Sequence, residues 1–165
     1  MEPKSLEFVF RQYQKELWLY LYSLCKNAAL ADDLLQETFL KALLSLPNSH
    51  TNVRAWLYMV GRNLYFDGLK KEKRLTLQED MSREADKTCV EEKLIENETN
   101  RALYKNLSGL DVKKREILTL YYFSGLSQKE IARILNLRPD YVRVLALRAK
   151  RELKQRMEAE GYDLS

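Results

Sequence analysis

The chain contains two cysteines, Cys25 and Cys89, far apart in sequence, and one histidine, His50. No disulfide framework and no zinc cluster can be built from that set, and no metal or other cofactor is expected. The two thiols read as buried or idle structural groups rather than as a redox pair. Only 5 glycines and 3 prolines punctuate 165 residues, and valine and isoleucine together number 11 against 30 leucines. Turn and strand material is therefore scarce, and an all-α chain is expected. Long apolar runs are missing too. The longest uncharged stretches, Ala42–Val53 and Ile117–Gln128, are 12 residues each and carry polar groups, well short of the ~20 apolar residues of a membrane helix. At the start, Glu2, Lys4 and Glu7 interleave with Leu6, Phe8, Val9 and Phe10. That is not the basic segment followed by an apolar core of a secretory leader, so a cytoplasmic location is expected.

Apolar residues make up 45% of the chain and charged residues 32%, enough to bury a core and keep a polar surface. A length of 165 residues fits one domain or two small helical modules and is too short for a large catalytic barrel. The net charge of +4 is modest, but it is unevenly spread: Gly61–Arg74 carries +3, Arg138–Arg156 carries +5, and Gln78–Glu98 between them carries −5. Two basic faces separated by an acidic segment favour a polyanionic partner, although charge runs are also what solvated helix faces look like.

Leu6, Phe10, Tyr13, Leu17, Leu21 and Leu24 recur every three or four residues and predict a first helix over Leu6–Asn27. A second is expected over about Ala29–Leu46, with Asp32 and Asp33 in its first turn and Pro47 at its end. Pro47–Asn52 has loop composition. A third helix is expected from Arg54 to about Lys71, with Trp56, Leu57, Val60 and Leu64 inward and Arg62, Asn63 and Asp67 outward. From Leu75 to about Cys89 no apolar period is sustained, which predicts a flexible acidic linker. Helical patterning then resumes over Val90–Leu107, Val112–Phe123, Ser127–Asn136 and about Asp140–Met157.

Ser127-Gln-Lys-Glu130 has the form of a helix capping box, and Gly125 ahead of it suits a left-handed turn. Ala132, Leu137, Val142 and Ala146 follow at the spacing of a helix-turn-helix, whose two helices cross closely enough to need a small residue. Arg143 and Arg148 occupy positions on the second helix that the core does not require.

With those residues in view, Leu110–Leu153 resembles region 4 of the extracytoplasmic-function (ECF, group 4) bacterial sigma factors. Asp32-Asp-Leu-Leu-Gln-Glu-Thr-Phe39, followed by Ala55-Trp-Leu-Tyr-Met-Val-Gly-Arg-Asn63, resembles their region 2. The resemblance spans nearly the whole chain in the family's order. It implies two helical modules joined by a flexible linker: residues 1–74 as region 2, 75–95 as the acidic linker and 96–165 as region 4. The implied function is to bind core RNA polymerase and direct promoter-specific initiation, with no catalytic site. Asp33, Gln36 and Glu37 would contact the β′ clamp helices, and the β flap is a further polymerase contact. Asn63 would help read a base taken out of the stack at the minus-10 element, in a pocket supplied by the loop Pro47–Val53. Arg62, Lys70, Lys71, Lys73 and Arg74 would hold phosphates there, while Trp56 anchors the core. Arg143, Val144, Leu147 and Arg148, with Lys129, would face the minus-35 element. The linker would thread toward the active-site channel, or serve only as a solvated tether. An anti-sigma factor, membrane-bound in the family's usual form, completes the expected partners.

The chain departs from the family in two places. Val144-Leu145 stands where Ser-Arg is usual, and Arg138-Pro139-Asp140-Tyr141 replaces the common Pro-x-Gly-Thr turn. A hydrogen-bonding pair is thereby lost, which favours apolar contact with thymine methyls. Leu145, three residues from Val142, also fits the core, and the two readings stay open. A stand-alone dimeric regulator would leave the region 2 motifs without a role. A nuclease would need paired carboxylates with a metal, or a histidine constellation, and the adjacent Asp32 and Asp33 point in different directions on a helix.

Overall fold

The leucine-rich period of the first segment winds Pro3–Cys25 into α1, and α2 (Ala28–Ser45) and α3 (Val53–Thr76) fold against it. The computed structural model describes residues 3–45, 52–76 and 98–162. These are all-helical, with no strand among them, and fall into two units.

In the first unit, Leu17, Tyr20, Leu21 and Leu24 of α1 meet Ala31, Leu34, Leu35, Phe39 and Ala42 of α2 and Ala55, Leu57 and Tyr58 of α3. Phe10 stands edge-on to Phe39, ring centroids 4.7 Å apart, and Tyr20 tilts against Tyr58 at 5.0 Å. Gly61 is buried where α3 passes Leu17 and Leu21 of α1 and Thr38 of α2. The Arg54 guanidinium closes the start of α3 onto α1 through two bonds to Glu16, 2.7 and 2.9 Å long.

Three expectations for this unit need correction. Asp32 and Asp33 lie in the second turn of α2, not the first. Asn27 takes the capping position, its side chain accepting from the Leu30 amide at 3.0 Å, after Lys26 turns the chain with a left-handed φ of 54°. Trp56 is only half-buried, and the fully buried aromatic of α3 is Tyr58, because Ala55, Tyr58 and Gly61 form the inward stripe. The third helix does not stop near Lys71 but runs to Thr76, its last turn carrying Lys73 and Arg74, cations that suit the negative end of the dipole. Asn52 caps its start, accepting from the Ala55 amide at 3.0 Å. Pro47 and most of its loop, His50, and the segment 77–97 with Cys89, Val90, Leu94 and Ile95 lie outside the described residues.

The second unit comprises α4 (Glu98–Gly109), α5 (Val112–Leu118), a π-helical turn (Thr119–Phe123), α6 (Gln128–Leu135) and α7 (Pro139–Ala159). Asp111 caps α5, accepting from the Lys114 amide at 2.9 Å. The single helix expected over Val112–Phe123 widens halfway along: the Ser124 amide reaches back five residues to the Thr119 carbonyl at 2.8 Å. This admits an extra residue into the turn. Ile117, Leu118, Leu120, Ile131 and Ile134 pack on Val142, Ala146, Ala149, Leu153 and Met157 of α7. Asn106 of α4 ties to the end of α7, donating to Met157 Sδ at 3.3 Å and Glu160 Oε2 at 3.0 Å. A Lys114–Glu152 ion pair links α5 to α7.

Candidate functional site

On α2, the inward residues Leu34, Leu35, Thr38 and Phe39 leave Asp33, Gln36 and Glu37 exposed on one outer face. Their three- and four-residue spacing makes them neighbours. The adjacent Asp32 is engaged elsewhere. Its carboxylate accepts from the Trp18 indole N–H at 2.7 Å, tying α2 to α1, and the Trp18 ring stacks on Tyr22 at 5.1 Å. Two neighbouring carboxylates thus divide into a fastening and an exposed acceptor that has no partner among the described residues. The same stripe continues as exposed Leu40 and Leu44. The sequence reading missed those leucines, although they continue the motif at i+3 and i+4.

Asn63 of α3 is exposed. At about 100° per residue, Asp67, Lys70 and Arg74 fall within roughly 40° of it on the helix, so they share its face, while Lys71 and Lys73 flank that face on opposite sides. Lys70, Lys71 and Arg74 line one open groove of about 470 Å³ together with Lys41, Asp67 and Glu37. The structure therefore brings three of the residues expected to hold phosphate beside one of those expected to contact polymerase. Arg62 is not brought into that set. It is half-buried, with its guanidinium carbon 4.6 Å from the Phe66 ring centroid. Lys73 does not line the groove either.

In the second unit the capping box is formed in both directions, Glu130 N to Ser127 Oγ at 3.1 Å and Ser127 N to Glu130 Oε1 at 3.0 Å. Gly125 ahead of it has φ +67°. Asn136 ends α6 in the left-handed region with φ 55°, and the Leu137 amide returns to the Ala132 carbonyl at 2.9 Å. Pro139 then starts α7 at a position where its missing N–H costs nothing. With Val142, Leu145, Ala146 and Ala149 buried, the residues left exposed include Arg143, Val144, Leu147 and Arg148. Lys129, second residue of α6, is exposed as well. Two lysine–aromatic pairs escaped the sequence reading: Lys113 lies 6.0 Å from the Tyr141 ring centroid, and Lys150 lies 5.2 Å from that of Tyr122. Such long-range pairs leave no periodic signal.

Cys25 is a free, half-buried thiol that donates to the Asn27 carbonyl at 3.3 Å, and burial raises its pKa, which suits an idle thiol rather than a nucleophile. Among the described residues no group of three or more His, Cys, Asp or Glu side chains could hold a metal, and no helix is long and apolar enough to cross a membrane.

The family model for Sigma-70 region 2 matches residues 9–75, and that for Sigma-70 region 4 matches residues 100–153. The ECF RNA polymerase sigma factor SigM of Bacillus subtilis is 31% identical over 91% of this chain and 93% of its own length. The RNA polymerase sigma factor YlaC of the same organism is 30% identical over 93% of this chain and 92% of its own length. In fold, the chain is similar to the sigma factor RpoE from Bartonella quintana, solved in complex with the anti-sigma factor NepR. The TM-score is 0.81 at 22% identity, covering 94% of this chain and 98% of that one. It is also similar to CnrH, solved with the cytosolic domain of CnrY, with a TM-score of 0.69 at 22% identity, covering 97% and 92% of the two chains. With both sigma regions matched in order and a relative paired along nearly its whole length, the chain belongs to the ECF RNA polymerase sigma factors, whose function is promoter-specific initiation of transcription.

Proposed function

We propose that residues 1–74 act as region 2 and residues 96–165 as region 4, with 75–95 as the acidic linker between them. Asp33, Gln36 and Glu37 receive basic and amide donors from the β′ clamp helices of core polymerase, since their exposed oxygens have no other role on α2. Asn63 reads a flipped minus-10 base, for which an amide can both donate and accept. Lys70, Lys71 and Arg74, flanked by Lys73, hold the phosphates beside it, and Arg62 reaches them from its seat on Phe66. Region 4 engages the β flap and reads the minus-35 element, Arg143 contacting a base edge, Val144 and Leu147 giving apolar contact, and Arg148 and Lys129 holding phosphate. The protein works in the cytoplasm and has no catalytic site of its own. NepR and CnrY accompany the two structural neighbours, and an anti-sigma factor, in membrane-bound form, is the regulator proposed for this chain.

The observation that carries this reading is the division of α7 into a buried half, holding Val142, Leu145, Ala146 and Ala149, and an exposed half, holding Arg143, Val144, Leu147 and Arg148. A helix that only needed solubility would not require two arginines around an apolar centre. The test combines the purified chain with core polymerase on a genomic library. Initiation at defined sites is expected. Sequence-specific binding of the chain alone to naked duplex, with no initiation, would instead indicate a stand-alone regulator.

A further inference from the structure

The recognition helix departs from its family at its first turn, and Tyr141 is the bulkiest part of that departure. It is exposed, the third residue of α7. Around the helix it falls about 20° from Arg148 and about 60° from Val144, on the outward half. The Lys113 ammonium, carried by the first turn of α5, lies 6.0 Å from the ring centroid. Among the described residues no carboxylate pairs with Lys113: Asp111 and Glu152 go to Lys114, and Asp140 goes to Arg138. An exposed cation from one helix is thus parked on the edge of another helix's outward face, with its charge unspent.

A B-form major groove is about 12 Å wide and admits one α-helix of about 10–12 Å diameter. If α7 fills it, a charge carried beside α7 by a second helix cannot enter the groove and meets its wall, which is phosphate. The Tyr141 hydroxyl, on the same flank, can donate to that wall. We propose that Lys113 and Tyr141 form a clamp on one backbone phosphate of the minus-35 duplex. The ring holds the lysine stem in place while its N–H groups stay available, which lowers the ordering cost of the contact. The clamp rests on α7 being the minus-35 reader and deepens that reading. It supplies affinity that carries no base information, where Val144 offers no hydrogen bond to a base edge.

The test uses holoenzyme on a promoter it has itself selected from a genomic library, with a series of minus-35 base variants at several salt concentrations. Lys113→Gln is expected to reduce the slope of log affinity against log salt by about one unit and to weaken every variant by the same factor. Tyr141→Phe keeps the ring and is expected to leave the slope unchanged while weakening all variants alike, roughly tenfold. Both should leave core-polymerase affinity and the helical dichroism at parent values. An unchanged slope for Lys113→Gln, a loss that varies with the minus-35 base, or an equal loss of core affinity overturns the clamp. Arg143→Ala separates the clamp from the reading of α7 on which it rests. If it relaxes base preference while Lys113→Gln leaves the slope alone, only the clamp falls. If it changes neither preference nor affinity, the reading of α7 falls and takes the clamp with it.

Discussion

Two glycines of α3 make the packing of the first unit measurable. A Cβ added at Gly61 would lie 3.2 Å from Leu21 Cδ2, 3.3 Å from Thr38 Oγ1 and 3.7 Å from Leu17 Cδ1. Leu17, Leu21 and Thr38 are fully buried, and the Thr38 hydroxyl is held on the Leu34 carbonyl at 2.7 Å, so none is a loose end that can swing away. Carbon contacts are comfortable at about 3.5–4.0 Å, and overfilling a packed site costs about 1–3 kcal/mol. A Cβ at Gly68 meets nothing within 4 Å. Both sites lie inside one helix, so Gly→Ala gains about 1 kcal/mol of helix propensity at each. That shared gain cancels in the comparison. Gly68→Ala should stabilise by about 1 kcal/mol, and Gly61→Ala should fall about 1–3 kcal/mol below it. With a urea m-value of about 1 kcal/mol/M, the two midpoints should differ by about 1–3 M. The chain has 2 tryptophans, Trp18 and Trp56, and both belong to this unit, so their fluorescence reports its unfolding without interference from the other. Equal upward shifts for the two variants would refute the tight three-helix crossing at Gly61.

Replacing Gln36 and Glu37 with alanine should leave the fold within about 0.5 kcal/mol, as expected of exposed helix positions, while removing core-polymerase binding; an affinity titration with far-UV dichroism checks both. Asn63→Ala should impair promoter melting, read by permanganate footprinting, with polymerase binding and minus-35 contact intact. Asn136 holds φ 55°, so Asn136→Ala should destabilise the second unit by about 1 kcal/mol while Asn136→Gly stays near parent or gains slightly, measured by hydrogen exchange of the α6 and α7 amides. The hydrogen bond from Lys114 holds the Glu152 carboxyl below its ordinary pKa and raises that of Lys114. The pair's support is therefore present above the ordinary glutamate range and fades as pH falls through the lowered Glu152 value. At the alkaline end it fades as pH rises through the raised Lys114 value. Lys114→Met should thus speed exchange in α5 and α7 at neutral pH, and the gap from the parent should close on acidification.

What the sequence made legible was local. The helix-turn-helix could be read because each signal lies within a few residues of its effect: Ser127 and Glu130 cap one another across a single turn, Gly125 and Asn136 take left-handed conformations beside them, and small Ala132 meets the next helix. Asp33, Gln36 and Glu37 were singled out by the family resemblance, and their three- and four-residue spacing put them on one helix face. The misplaced features depended on competition or distance. Asp32 looked like a first-turn carboxylate until Asn27 took the cap and left it to Trp18. Trp56 and Tyr58 both suit a core, and only the crossing beside Gly61 chooses Tyr58. The widened turn at Thr119–Phe123 has no periodic signature, because it adds one residue to an otherwise regular pattern. Arg62, grouped with the other cations by charge, has its guanidinium over Phe66, a neighbour that charge counting does not weigh.

The same contrast resolves the departure at Val144-Leu145. As a dipeptide it looks like the loss of two polar groups from the DNA-facing helix. In the structure the two residues part company: Val144 is 40% exposed beside Arg143, while Leu145 is 9% exposed and packs with Val142 and Ala149. One of the two residues, Leu145, therefore belongs to the core of this unit. On the proposed reading of α7, only Val144 changes the surface offered to DNA. On that reading, Val144 presents a methyl surface to DNA where the family's serine would present a hydroxyl. The two arginines that remain, Arg143 and Arg148, stand about 140° apart around α7, far enough for one to meet a base edge and the other the strand beside it. On that reading, the packing residues and the reading residues of α7 lie on separate halves, so promoter preference can change through Val144 without disturbing Leu145 and the core around it.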